Sequence, residues 1–253
     1  MKQPDLSIVI PAYCEERRIG KTLDDLAKYL KQDGFLERER VEVIIVAADA
    51  PDRTHEIIAT KQRLFRLNHV TFTFLKPGSR VGKGRDVRHG MLYAHGKYIL
   101  FMDADLATPL HHVKEFFEAC EHGSDVVIGT RDLFRYRSSK VRNLFSGVGN
   151  RLYQLASGIH VEDTQCGFKM FTYEAAQLCF SQLTILGWGF DLEVLTIAKA
   201  NGLTITPVRI DDWQDKPYST YSENMLQIAL RTMKDFGKVK IFQLTGRYIT
   251  KKE

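Results

Sequence analysis

The chain of 253 residues lacks any apolar run long enough to cross a bilayer. Its N-terminal stretch "MKQPDLSIVIPAY" meets Pro11 after a few β-branched residues, so neither a signal peptide nor a membrane span is expected there. Cysteine is scarce. Cys14, Cys120, Cys166 and Cys179 form no C-x-x-C or other metal-ligand spacing, and a reduced, cytosolic setting is expected. No internal repeat, low-complexity tract or linker interrupts the chain. Excess charge is small as well: 36 Lys and Arg against 31 Asp and Glu leave a formal +5. That balance favours anionic partners only mildly, and a nucleotide diphosphate or a lipid phosphate satisfies it as well as nucleic acid.

What remains is ordinary globular composition, 44% hydrophobic and 26% charged. The pattern alternates. Apolar strand-like runs "LSIVIPAY", "VEVIIVAA", "VTFTFLKP", "KYILFMDAD" and "SDVVIGTR" are separated by helical spacings over 17–33, 54–67, a glycine-opened segment ending near Gly96, and a stretch through Phe116 and Phe117. Such alternation predicts βαβ units and a mostly parallel sheet covered on both faces, an α/β fold whose ligands sit beyond the carboxyl ends of the strands. Polar clusters fall at four of those ends: Glu15 and Glu16, Asp49 and Asp52, Asp103 and Asp105, and Arg131. Further on, a basic segment over 132–160 is expected to be helical, "DTQCGFKMF" breaks the pattern, "GWGFDLEVLTIAKANG" enters a helix, and "LTITPVRI" is another strand. We expect one catalytic domain over 1–222 and a basic amphipathic helix and tail over 223–253, packed on that domain or facing a membrane.

"YILFMDADLATP" carries the most chemistry. Asp103 and Asp105, two apart after an apolar strand, point the same way. Their repulsion is relieved by a hard divalent ion, Mg²⁺ or Mn²⁺, that keeps positions open for phosphate oxygens. The spacing fits equally a polar strand end whose aspartates cap the next helix or face water. His111 and His112 follow closely, but an adjacent pair at a helix start is more often structural than ligating, so both stand outside the expected site.

The order of "IVIPAYCEERRI", "GKGRDVRHGM", "ILFMDADLATPL", "GTR", "DTQCGFKMF" and "GWGFDLEVL" resembles the inverting glycosyltransferases of family 2. Within them it is most similar to the dolichyl-phosphate β-glucosyltransferase branch, over about residues 5–213. The resemblance implies a GT-A fold, a Rossmann-like nucleotide-sugar-binding domain. It also implies transfer of a sugar, glucose ahead of others, from a nucleotide sugar to a polyisoprenoid phosphate. UDP-glucose is the expected donor and GDP-mannose the next; dolichyl or polyprenyl phosphate is the expected acceptor. No nucleic-acid partner is expected. A peripheral place on the cytoplasmic face of a membrane, with a separate anchoring partner, would suit such an acceptor.

The same resemblance gives roles to residues. Asp105 is expected to bind the metal that bridges the donor diphosphate, with Asp103 sharing the ion or contacting ribose. Pro11, Tyr13 and Glu15 of the "PAYCEE" loop, together with Asp49, Lys83 and Arg88, are expected to line the nucleotide. Arg131 would meet phosphate oxygens with its forked guanidinium, a surface ion pair being the alternative. Arg142, aligned with Ser146 and Asn150 on one helical face, would hold the acceptor phosphate, with Arg137 beside it. Asp163 would contact sugar hydroxyls; so would Asp191 or Glu193, and Trp188 could stack on the sugar. Cys166 is expected to be packed, not nucleophilic.

Three departures stand out. Where the mannosyltransferase relatives carry a metal-holding glutamine, this chain has Ala107. Where the family writes paired aspartates after the second strand, it has Ala47 and Ala48, which cannot accept a hydrogen bond from a base; Asp49 after a one-residue shift, or backbone with Glu15, would have to replace them. Finally, "DDWQDKPYSTYS" stands in place of a glycine-serine-lysine stretch. A small soluble acceptor, or a member that binds nucleotide sugar without turnover, stays open as an alternative.

Overall fold

The computed structural model describes residues 3–36, 39–131, 163–214 and 225–250. Seven strands form one sheet: β1 (Leu6–Pro11), β2 (Val41–Val46), β3 (Val70–Leu75), β4 (Tyr98–Met102), β5 (Val126–Arg131), β6 (Phe168–Thr172) and β7 (Ile205–Ile210), in the order β3-β2-β1-β4-β6-β5-β7. Every neighbouring pair runs parallel except those made by β6, which lies antiparallel between β4 and β5. The expected α/β fold with a mostly parallel sheet is therefore present.

Strand side chains alternate between two cores. Leu6, Ile8, Ile10, Val43, Ile45, Leu100 and Met102 face helices α1 (Ile19–Gln32), α2 (Thr54–Lys61) and α4 (His112–Glu121). Val9, Ile44, Val46, Ile99 and Phe101 face α3 (Lys83–Tyr93), α5 (Tyr173–Gln182) and α6 (Phe190–Ala200), with Val239 of α7 (Met225–Leu244) joining that side. Helix α6 is buried from Phe190 through Ala198 because α5 and α7 both pack on it. This burial is why its two acids, Asp191 and Glu193, must find partners inside the protein.

Strand β6 is the element the pattern did not reveal. "FKMFT" is five residues long and buried at four of them, and it follows directly on a polar turn. Neither alternation nor length distinguishes it from a loop. It matters because it draws residues 163–167 against the end of β4, where the Asp103 N–H donates to the Gly167 carbonyl at 2.9 Å. A Cβ on Gly167 would collide with the Asp103 carboxylate, so a larger residue there would force that side chain out of its present place.

No helix among the described residues is long and apolar enough to cross a membrane. On α7 and just after it, Met233, Ile241, Leu244 and Ile249 are exposed, while Val239 is buried. The helix thus packs on the domain and also shows apolar side chains outward.

A candidate active site at the carboxyl ends of the strands

The loop after β1 folds back over the start of α1. Arg18 clamps Glu15 with two hydrogen bonds, Nε to Oε2 at 2.7 Å and Nη2 to Oε1 at 2.6 Å. Its other terminal nitrogen, Nη1, stands 3.9 Å from Asp105 Oδ2. One turn on, Thr22 donates to the Ala104 carbonyl at 2.6 Å, tying α1 to the backbone between the paired aspartates. Sequence reasoning passed over Arg18; its place in "CEERRI" gave no signal that one of two adjacent arginines turns inward.

Asp103 and Asp105 emerge from β4 as the spacing predicts. Asp105 Oδ1 accepts the Ala107 N–H at 3.0 Å, closing a tight turn that holds Leu106 at a positive φ of 52°. Asp103 Oδ1 receives the Lys83 ammonium at 2.6 Å. Lys83 opens α3 between Gly82 and Gly84, and its ammonium also lies 5.1 Å from the Trp188 ring. Burial raises the Asp105 carboxyl above the ordinary carboxylate range, and the Asp103 charge adds to the effect. Glu15 is raised too, first by burial and despite Arg18, with Asp105 and Asp103 contributing.

This cluster suits a divalent cation. Glu15, Asp103 and Asp105 face Arg18 and Lys83 as neighbouring positive charges, the Arg131 charge also acts on Asp103, and the two strand-end side chains remain 33% and 26% exposed. Hard carboxylate oxygens that are half-buried, mutually repelling and reachable from solvent are a fitting donor set for Mg²⁺ or Mn²⁺.

At the next strand end, Arg131 pairs with Asp163 through Nε at 2.5 Å and Nη2 at 3.1 Å. Its guanidinium stands 5.1 Å from the Trp213 ring, a neighbour the sequence did not announce. Asp163 is buried, and besides Arg131 it accepts the Gln165 N–H at 3.1 Å. Asp163 therefore holds Arg131 in place. The alternative of a surface ion pair at Arg131 is replaced by a pair whose acid is almost fully enclosed.

The two acids of α6 separate cleanly. Glu193 accepts from Thr184 N (2.8 Å), Thr184 Oγ1 (2.7 Å), Ile185 N (2.6 Å) and Tyr248 Oη (2.8 Å), and all its capacity goes to the fold. Asp191 pairs with Lys169 at 2.5 Å, and Lys169 also donates to the Cys166 carbonyl at 2.7 Å. Burial raises Asp191, and the charges of Lys169 and Lys83 oppose that rise; the two ammonium groups lie 5.8 and 5.5 Å from the same Phe101 ring. Burial also pushes the Cys166 thiol up to about 11, consistent with a packed side chain.

In the loop after β1, Tyr13 carries the Arg80 guanidinium 4.1 Å over its ring, and Arg80 in turn bonds buried Asp86 at 3.0 Å. Arg80 is a second arginine that sequence reasoning missed. Pro11 closes β1 immediately before this loop. Arg88 does not belong to the group: it donates to the carbonyls of Phe180 and Ser181, at 2.9 and 3.3 Å, and caps the end of α5.

Ala47 and Ala48 are both fully buried, and their carbonyls are taken by His55 Nε2 at 3.1 and 3.0 Å. Neither side chain at these positions can accept a hydrogen bond from a base. Asp49 is exposed, its N–H held by the Gly78 carbonyl at 2.9 Å, and its carboxylate forms no bond with the described residues. Arg137, Arg142, Ser146 and Asn150 lie outside the described residues.

The model of the family "Glycosyl transferase family 2" matches residues 7–180. Among curated proteins, the dolichyl-phosphate beta-glucosyltransferase ALG5C of Trichomonas vaginalis is 31% identical, over 97% of this chain and 73% of its own length. The dolichyl-phosphate beta-glucosyltransferase of Saccharomyces cerevisiae is 30% identical over 96% and 76%, and that of Dictyostelium discoideum 30% over 93% and 77%. Among solved structures, glucosyl-3-phosphoglycerate synthase from Mycobacterium tuberculosis in complex with UDP superposes with a TM-score of 0.66 at 16% identity, covering 94% of this chain and 80% of the other. Mannosyl-3-phosphoglycerate synthase from Rubrobacter xylanophilus gives 0.65 at 17%, covering 99% and 77%.

Proposed function

The chain belongs to glycosyl transferase family 2 and is a glycosyltransferase with a GT-A-like domain, and from that premise we propose that it transfers glucose from UDP-glucose to dolichyl or another polyprenyl phosphate. The observation that carries this reading is the extent of similarity to proteins named for that reaction, which runs over more than nine-tenths of the chain.

The acceptor is a phosphate monoester, largely ionised near neutral pH. Its oxygen attacks the anomeric carbon without a strong general base, while the bond from that carbon to the donor diphosphate breaks and UDP departs. Attack from the face opposite the leaving group inverts the centre and gives a β-linked sugar phosphate. What the protein must supply is alignment and charge neutralisation. Asp105 and Asp103 would hold a divalent ion, which when bound neutralises the diphosphate as it leaves. Lys83, placed against Asp103, adds a fixed positive charge at the same point. Arg131, oriented by Asp163, presents its remaining donors to phosphate oxygens.

Tyr13 and Glu15 line the base side in this reading, with Asp49 as the acceptor for a base N–H. Asp191, fixed by Lys169, stands near the sugar. Arg142 is assigned the acceptor phosphate. The apolar side chains exposed on and after α7, among Lys234, Lys238 and Lys240, would rest against the membrane that carries the acceptor. In that arrangement residues 1–222 are the catalytic unit, and 223–253 couple it to the cytoplasmic face, with or without an anchoring partner.

The test is a donor–acceptor matrix. Radiolabelled UDP-glucose, UDP-GlcNAc and GDP-mannose are each offered to a short polyprenyl phosphate and to 3-phosphoglycerate, with and without Mn²⁺. Organic-phase label from UDP-glucose, dependent on the metal, is expected. Label from GDP-mannose alone, or transfer only to the soluble acid, would replace the proposed substrates.

A further inference from the structure

His111 and His112, at the start of α4, converge on a residue one hundred positions away. His112 Nε2 lies 2.8 Å from Asp212 Oδ1, and His111 Nε2 lies 3.2 Å from Asp212 Oδ2. The two rings are 4.3 Å apart between centroids, and one ligand atom from each of the three residues falls within 4.8 Å of the others. We propose that His111, His112 and Asp212 form a binding site for a single Zn²⁺-class transition-metal ion, separate from the aspartates that follow β4.

Four observations lead there. First, the ligand types are right: two imidazoles and one carboxylate are a recurring donor set for zinc, whereas Mg²⁺ prefers oxygen alone. Second, both imidazoles already reach the carboxylate. Ligands about 2.0–2.1 Å from a tetrahedral centre lie roughly 3.3 Å from one another; the two contacts to the Asp212 oxygens, 2.8 and 3.2 Å, are close to that, and the full set, within 4.8 Å, needs only side-chain adjustment to close on one ion. Third, the outer partner is already present. Glu115 lies 3.2 Å from His112 Nδ1, and a carboxylate on the second ring nitrogen fixes the tautomer that aims Nε2 at a metal. Fourth, the site is open enough to load: His111 and Asp212 are 63% and 46% exposed, while His112 is 11% exposed and anchors the group.

The place of the site gives it a consequence. The Gln214 N–H donates to the Ala107 carbonyl at 3.0 Å, and Trp213 lies against Arg131. An ion at His111, His112 and Asp212 would fasten the loop carrying Asp105 to the segment carrying Trp213, tying two walls of the candidate active site at a point outside it.

The experiment uses the full chain stripped with EDTA and titrated calorimetrically with ZnCl₂ alone, followed by dialysis and metal analysis. One equivalent of retained zinc and a thermal midpoint raised by several degrees are expected. His111→Ala and Asp212→Asn, both at exposed positions, are each expected to weaken binding at least tenfold. Asp105→Asn is expected to retain the full equivalent. Cobalt(II) gives a second readout, a visible ligand-field band present in the wild type and in Asp105→Asn but absent from His111→Ala. The proposal is overturned if the wild type retains no zinc and the three side chains are only ion-paired. It is overturned equally if His111→Ala and Asp212→Asn bind as the wild type does, or if Asp105→Asn removes the ion.

Discussion

Lys83 Nζ stands 2.6 Å from Asp103 Oδ1, so a lysine ammonium occupies one oxygen of the acid pair that a divalent ion would share. The two cations compete for Asp103 yet serve the same diphosphate, and this predicts opposite signs for one substitution. Lys83→Ala should tighten Mn²⁺ binding to the free protein, because a competing charge is gone. It should also lower kcat/KM by about 10²-fold or more, in line with the loss of one preorganised charge at a leaving group. Calorimetric Mn²⁺ titration and steady-state kinetics read the two effects separately. If neither moves, the contact is a surface ion pair and nothing more.

Asp105 gives a prediction in pH. Burial, and then the Asp103 charge, raise its carboxyl in the folded protein above the unfolded value. The folded state therefore binds this proton more tightly. Its contribution to stability is present below the unfolded carboxylate range and is lost as pH rises through the folded value. At neutral pH the ionised group costs stability, so Asp105→Asn should melt higher than the wild type by on the order of 1 kcal/mol, roughly 2–4 °C for a chain this size. The gap should close toward pH 4 and should narrow when Mn²⁺ is added to the wild type. Turnover should disappear. A variant that melts lower at pH 7.5 would count against this electrostatic picture.

Much of this site was legible because strand ends announce themselves. A β-branched run that stops at a carboxylate or an arginine reveals both the element and the direction of its last side chain, which is how Glu15, Asp103, Asp105 and Arg131 came to light. Partner choice was not legible. Arg18 and Arg80 look like any other surface arginine until α1 and the loop before α3 bring them to Glu15 and Asp86. Arg88 shares a motif with Lys83 but lies further along α3, and its guanidinium reaches the end of α5. Strand β6 escaped because a five-residue buried segment carries too little periodicity, and with it went the pairing of Asp163 with Arg131.

Glu193 and Tyr248 test the division of labour on α6. The Tyr248 hydroxyl donates to Glu193 Oε1 at 2.8 Å, and burial raises its phenol above the ordinary range. Tyr248→Phe removes one hydrogen bond to a charged acceptor that keeps three other donors, so it should cost about 1.5–3 kcal/mol. Glu193→Ala strands four donors, Thr184 N and Oγ1, Ile185 N and Tyr248 Oη, and should cost more, on the order of 3 kcal/mol or above. Chemical denaturation measures both. Specific activity per folded molecule should be unchanged in Tyr248→Phe, which would separate Glu193 as a structural acid from Asp191. An activity loss larger than the stability loss would place Glu193 in the reaction after all.

Asp49 carries the last prediction. The buried alanines before it offer a base no accepting side chain, and His55 Nε2 already bonds both of their carbonyl oxygens. Glu15 is clamped by Arg18 on both of its oxygens. Asp49, exposed and with its N–H already spent on Gly78, has a carboxylate that bonds none of the described residues. If it accepts the base N–H, Asp49→Ala should raise the KM for UDP-glucose about tenfold, the loss of one hydrogen bond to a charged group, and leave kcat nearly unchanged. Folding should be unaffected, because an exposed side chain without partners contributes little. Asp49→Asn should recover part of the affinity, since the amide oxygen still accepts while the charge is lost. Unaltered donor KM in Asp49→Ala would mean that the base is held without this strand end, leaving the Tyr13–Arg80 stack as the recognising surface.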